Sequence, residues 1–112
     1  MSSLTILWTS DNAHTAINMI AMYSTNALRK GWFKEATVII WGGSNTLIKE
    51  NELVQKTIKE MLDSGVVMKA CKSCADKMGT TELLESFGVE VEYMGLPLSN
   101  ILKDEGQYLL SV

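Results

Sequence analysis

Proline and histidine are almost missing from this chain. There is one of each among 112 residues, Pro97 and His14, and there are only two cysteines. A single proline and the lack of any low-complexity run exclude an extended, disordered polymer. Two cysteines are too few for the disulfide framework of a small secreted domain. A chain of this length buries roughly two-thirds of its unfolded surface without such staples. One histidine leaves no second Cys/His pair to complete a zinc site, since two sulfurs are half a tetrahedral donor set. Basic excess is missing too: a net charge of −3 repels phosphate backbones and argues against generic nucleic-acid binding. No apolar run approaches the roughly 20 residues of a bilayer span. The first residues lack the basic start and small-residue cleavage site of a signal peptide. The expectation is a cytoplasmic protein with no membrane or nucleic-acid partner, no metal and no cofactor.

What remains is an ordinary globular mixture, 46% hydrophobic and 21% charged. Apolar, β-branched runs at residues 4–8, 37–41, 66–70, 89–93 and 108–112 predict five strands. The second is nearly continuous and suits a strand covered on both faces, whereas Val89-Glu90-Val91-Glu92-Tyr93 alternates and suits an edge. Helical patterns separate them. The first runs to about Lys30, with Ser10 or Asp11 as cap, Ala13, Ala16, Ile17, Ile20, Ala27 and Leu28 as core stripe, and Gly31 as stop. The second begins near Ser44 or Asn51 and ends at Ser64-Gly65. Shorter helices fit residues 73–78, 81–87 and 98–103, the last after Pro97. Strand–helix alternation implies an α/β fold: a three-layer α/β/α sandwich with a mainly parallel five-stranded sheet, flavodoxin-like, in one domain over residues 1–112. Met19, Met22 and Tyr23 lie off the core stripe of the first helix. They read as an exposed fringe, as a wide buried face or as a subunit interface, and a homo-oligomer is expected.

Ligands of open α/β sheets bind outside the carboxyl ends of the strands. That rule collects Ser10, Asp11 and His14 after the first strand, Gly42, Gly43 and Ser44 after the second, Cys71, Lys72, Ser73 and Cys74 after the third, and Met94 after the fourth. Gly42-Gly43-Ser44 reads as a small anion-binding turn or simply as a tight turn that needs glycine; it lacks the spacing of a nucleotide loop. His14 reads as a base or ligand, or as a surface residue. Trp8 and Trp41 are pocket walls or core, and core suits Trp41 better. The Cys-X-X-Cys pair is more informative. Cys71 falls at a strand-to-helix junction, where free backbone amides favour thiolate over thiol, and Lys69, Lys72 and Lys77 outnumber Asp76. A thiolate is the nucleophile of thiol–disulfide and persulfide exchange. Cys74 lies about one turn on and suits a resolving thiol. Free cysteines are also common as small buried apolar residues.

The stretch Glu60-Met61-Leu62-Asp63-Ser64-Gly65-Val66-Val67-Met68-Lys69-Ala70-Cys71-Lys72-Ser73-Cys74-Ala75-Asp76-Lys77-Met78-Gly79 resembles the DsrE/DsrF-like family, and its Cys-Lys-X-Cys form resembles the YchN-type branch. The strand at residues 38–43 with its glycine turn and the closing strand after Gln107 fit as well. The resemblance implies a compact α/β fold, a homotrimer or homohexamer, and sulfur carried as a persulfide on the cysteine after the third strand, here Cys71. It suggests a sulfurtransferase-type relay with a sulfur-donor or acceptor protein as partner. Two rivals stand beside it. One is a non-enzymatic oligomeric binding or assembly module, with a small-anion or metabolite pocket at the carboxyl edge of the sheet. The other is a thioredoxin-like reductase, which wants a cis-proline opposite its motif; Pro97 is the only proline available.

Overall fold

The computed structural model describes residues 2–112. Five strands, β1 (Ser3–Trp8), β2 (Glu35–Ile40), β3 (Val67–Cys71), β4 (Glu90–Glu92) and β5 (Gln107–Ser111), form one parallel sheet in the order β4-β3-β2-β1-β5. The most apolar runs, β1 and β2, are central. The alternating β4 is an edge strand of three residues, as its pattern predicted. The flavodoxin order is 2-1-3-4-5. Here the chain instead steps one way through β1, β2, β3 and β4, then returns to place β5 beside β1.

That route determines where the helices lie. Right-handed crossovers taken in one direction put their helices on one face, and the return crossover goes to the other. α1 (residues 13–29), α2 (Ser44–Glu50), α3 (Glu52–Asp63), α4 (Lys72–Met78) and α5 (Thr81–Phe87) follow the first four strands. Each sends at least one residue into the main core: Ile20 and Ala27, Ile48, Ile58 and Met61, Ala75, and Leu84. These meet Leu4, Ile6, Trp8, Val38, Ile40, Met68 and Ala70 of the sheet. Among the described residues only α6 (Gly95–Lys103) serves the opposite face, where a small cluster of Ile39, Cys71 and Met94 gathers Leu7, Trp41, Cys74 and Ile101 around it. The three layers are therefore unequal.

Helix boundaries correct the sequence reading in two places. Asn12, not Ser10 or Asp11, caps α1: its Oδ1 accepts from Thr15 N at 3.0 Å, and Ser10 Oγ accepts from Asn12 N at 3.1 Å. The interior of α1 is a π-helical stretch, Ala16–Ala21, between the α-helical stretches Ala13–Thr15 and Met22–Arg29. A π turn shifts the faces downstream of it. Met22 is exposed and Met19 and Tyr23 lean onto the core, and all three border one surface pocket together with Trp32. The expected stop holds: Gly31 adopts φ +70°, open to glycine at little cost. Asn51 caps α3 through a 3.0 Å bond from Val54 N. Pro97 lies in the first turn of α6, where its missing N–H costs nothing. Among the described residues there is no cis peptide bond, so Pro97 does not supply the cis-proline of a thioredoxin-like site. Among them, too, no helix is long and apolar enough to cross a membrane.

Candidate functional site: two free thiols on the thin face

Cys71 is at once the last residue of β3 and the N-cap of α4, as the sequence indicated. Its direction differs from expectation. Alternation along β3 turns Met68 and Ala70 into the main core and Lys69 and Cys71 to the opposite face. The Cys71 thiol makes no capping hydrogen bond to α4 and packs with Ile39 and Met94, at 4% exposure. Cys74, one turn on, is half-buried at the margin of the same cluster. Both thiols are free.

The lysines do not form the free positive field expected around the pair. Lys69 Nζ lies 3.3 Å from Glu92 Oε1 and 3.8 Å from Glu90 Oε2, because β4 pairs in register with β3. Lys72 Nζ lies 3.1 Å from Asp76 Oδ2 across one turn of α4. The Asp76 hydrogen bond, then its charge, holds the Lys72 ammonium above its ordinary range. The Thr81 hydroxyl, which donates to Asp76 Oδ1 at 2.6 Å, and then Lys72 hold the Asp76 carboxyl below its own. Ser73 and Lys77 are exposed on α4.

The other rim segments serve as joints. Ser44 is buried, its hydroxyl 2.8 Å from the Trp8 carbonyl and 3.0 Å from that of Trp41, so it ties the ends of β1 and β2 together. Gly42 has φ +64°, and a Cβ on Gly43 would stand 3.0 Å from the Thr9 carbonyl oxygen. Close approach explains this glycine pair more directly than anion binding does. The topological reversal between β1 and β5 is closed by backbone: Thr9 N and Ser10 N donate to the Val112 carbonyl at 2.7 and 3.2 Å. Asp11 and His14 are exposed, and His14 Nδ1 lies 3.5 Å from Asn18 Nδ2. Of the rim residues singled out in the sequence, the structure brings Cys71, Cys74 and Met94 together in one cluster.

Two features escaped sequence reading. Trp41, assigned to the core, is only half-buried and belongs to the cysteine cluster; Trp8 is the fully buried one, its Nε1 donating to the Ser10 carbonyl at 3.0 Å. The odd–even phase of β2 carries this signal: Trp41 shares parity with Thr37 and Ile39, on the thin face. The second feature is a buried polar link. Thr80 Oγ1 donates to Asn45 Oδ1 at 2.8 Å, and Asn45 Nδ2 donates to the Gly42 carbonyl at 3.0 Å. It fastens the end of the cysteine-bearing α4 to the turn after β2.

On the thin face a cavity of about 310 Å³ opens between the sheet and α6. Ile39, Met94 and Ile101 belong both to its wall and to the cysteine cluster.

This all-parallel α/β sandwich is a YchN-like fold. The crystal structure of the ychN protein from E. coli superposes with a TM-score of 0.73 over 100% of both chains at 16% identity. The structure of BT1422, a conserved protein of unknown function from Bacteroides thetaiotaomicron, superposes with a TM-score of 0.93. It shares 42% identity over 99% of this chain and 95% of that one. The chain belongs to the family of BT1422. No family model matches it, and neither does any curated protein.

Proposed function

We propose that this protein is a small DsrE-like sulfur carrier of the sulfurtransferase type, with Cys71 and Cys74 as its working thiols. One observation carries the reading: two free thiols stand three residues apart at the carboxyl end of β3, Cys71 buried and Cys74 half-buried in the same cluster. Exposure divides their labour. A donor persulfide has little access to the buried Cys71, a residue 4% exposed, so the half-buried Cys74 is the point of entry. Its thiolate attacks the terminal sulfur of the donor persulfide. The donor S–S bond breaks, a donor thiolate leaves, and Cys74 becomes the persulfide. An acceptor thiolate then removes that terminal sulfur in the same way. Alternatively, the Cys71 thiolate attacks the Cys74 sulfur, forming the Cys71–Cys74 disulfide and expelling hydrosulfide, with two electrons passing from the thiol pair to the departing sulfur. Relay within a homotrimer or homohexamer belongs to the same proposal.

The experiment is intact-protein and peptide mass spectrometry after incubation with a low-molecular-weight persulfide. Gain of one sulfur atom on the Cys71–Cys74 peptide, abolished in Cys74→Ser, is the expected result. No adduct, under conditions that load a control thiol, contradicts it.

A second reading is favoured by the burial of Cys71 itself: a non-enzymatic binding or assembly module whose cysteines only pack. It predicts that Cys74→Ser leaves every interaction of the protein intact.

A further inference from the structure

We infer that the cavity between the sheet and α6 is a binding site for a small amino-acid zwitterion with an apolar side chain. The first ground is its floor. Thr5 of β1 and Thr37 of β2 are register partners, so their side chains stand side by side on the thin face. Thr5 is 2% exposed, lines the cavity, and among the described residues its hydroxyl has no hydrogen-bond partner. No side-chain oxygen or nitrogen described here is both sealed from solvent and unpartnered, so the Thr5 oxygen opens into the cavity. A buried hydroxyl facing an otherwise walled space is one that a ligand or water completes.

The second ground is the charge at the two sides. Lys69 reaches in from β3, and Asp104 stands beyond β1, its Oδ1 held by Gly106 N at 2.8 Å. A simple anion is disfavoured, because Glu90 and Glu92 already face Lys69 and Asp104 adds a further negative charge. A simple cation leaves the paired threonine donors unanswered. A zwitterion meets both conditions: its carboxylate accepts from Thr5 and Thr37, and its ammonium donates to Asp104. Ile39, Met94 and Ile101 supply an apolar wall for the side chain, and 310 Å³ lies at the lower end of the range for small-ligand sites. The inference is independent of sulfur transfer, although the same wall covers Cys71.

The test is calorimetric titration of the full chain with L-methionine, which has no thiol to exchange. Saturable binding at one site per chain is expected, weakened about tenfold or more by removing either the amine or the carboxylate from the ligand. Thr5→Val and Asp104→Asn should each weaken it to a similar degree. Asp104 is an exposed residue lining the cavity, so its variant tests the site even if Thr5→Val unfolds. Absence of saturation at about 10 mM ligand, or equal binding by the singly charged analogues, overturns the inference. Unchanged binding in Asp104→Asn does so as well.

Discussion

Thr80 donates a 2.8 Å hydrogen bond to the side chain of Asn45, and both residues are fully buried although 35 positions separate them. This bond links the turn after β2 to the segment following α4, and so holds the helix that presents Cys74. Thr80→Val leaves Asn45 Oδ1 buried without a donor, which costs about 1–3 kcal/mol. Denaturant unfolding should register that loss, and native-state alkylation of Cys74 should become faster as α4 loosens. An unchanged midpoint would mean that the bond contributes nothing to the fold.

The glycine turn is expected to be structurally intolerant. Gly43→Ala forces a Cβ to within 3.0 Å of a backbone oxygen, Thr9 O, that cannot swing aside. Gly42→Ala strains a φ of +64° by about 1 kcal/mol. Both variants should melt below the parent, Gly43→Ala the more so, and neither loss should be relieved by phosphate or sulfate. Rescue by either anion would restore the anion-cradle reading of this turn.

The pair Lys72–Asp76 gives a signed pH dependence. The Asp76 carboxyl is held below its ordinary value of 3.8, so its contribution is present above that pH and is lost as the solution is acidified through the lowered value. Lys72 is held above 10.5, so its contribution is complete below that pH and is lost as pH rises past the raised value. Both side chains are solvent-exposed and the effect is small. Thermal melts of Asp76→Asn should fall slightly below the parent at neutral pH and converge with it in strong acid. A difference that persists in acid contradicts the assignment.

The sheet was legible because its signals are local. Five apolar runs, glycine stops and the alternation of β4 appear in the sequence at nearly the positions the structure gives them. The site was legible in sequence position but not in direction. Cys71 sits where the strand-to-helix pattern put it, yet the residue that decides its environment, Met94, comes from a segment 23 positions away. The basic field failed for the same reason: Glu90 and Glu92 meet Lys69 only through strand pairing, which local spacing does not encode. The π stretch in α1, Ala16–Ala21, is likewise a departure from regular geometry that a regular wheel cannot anticipate.

An oligomer, if it forms as proposed, has surface to use. Leu96 and Leu102 of α6 and the neighbouring Tyr93 are 72%, 63% and 66% exposed beside the thinly covered sheet face. Light scattering on the purified chain should give a multiple of the monomer mass, and Leu96→Glu with Leu102→Glu should reduce it to the monomer. A parent that is monomeric at micromolar concentration removes the oligomer from the proposal.

The two-thiol account is tested most directly by timed alkylation of the native protein, with each cysteine resolved by peptide mass spectrometry. Cys74 should react first, and Cys71 should lag far behind it until denaturant is added. If Cys71 reacts as fast as Cys74, or if neither reacts while the protein is folded, the division between an entry thiol and a sheltered partner is wrong.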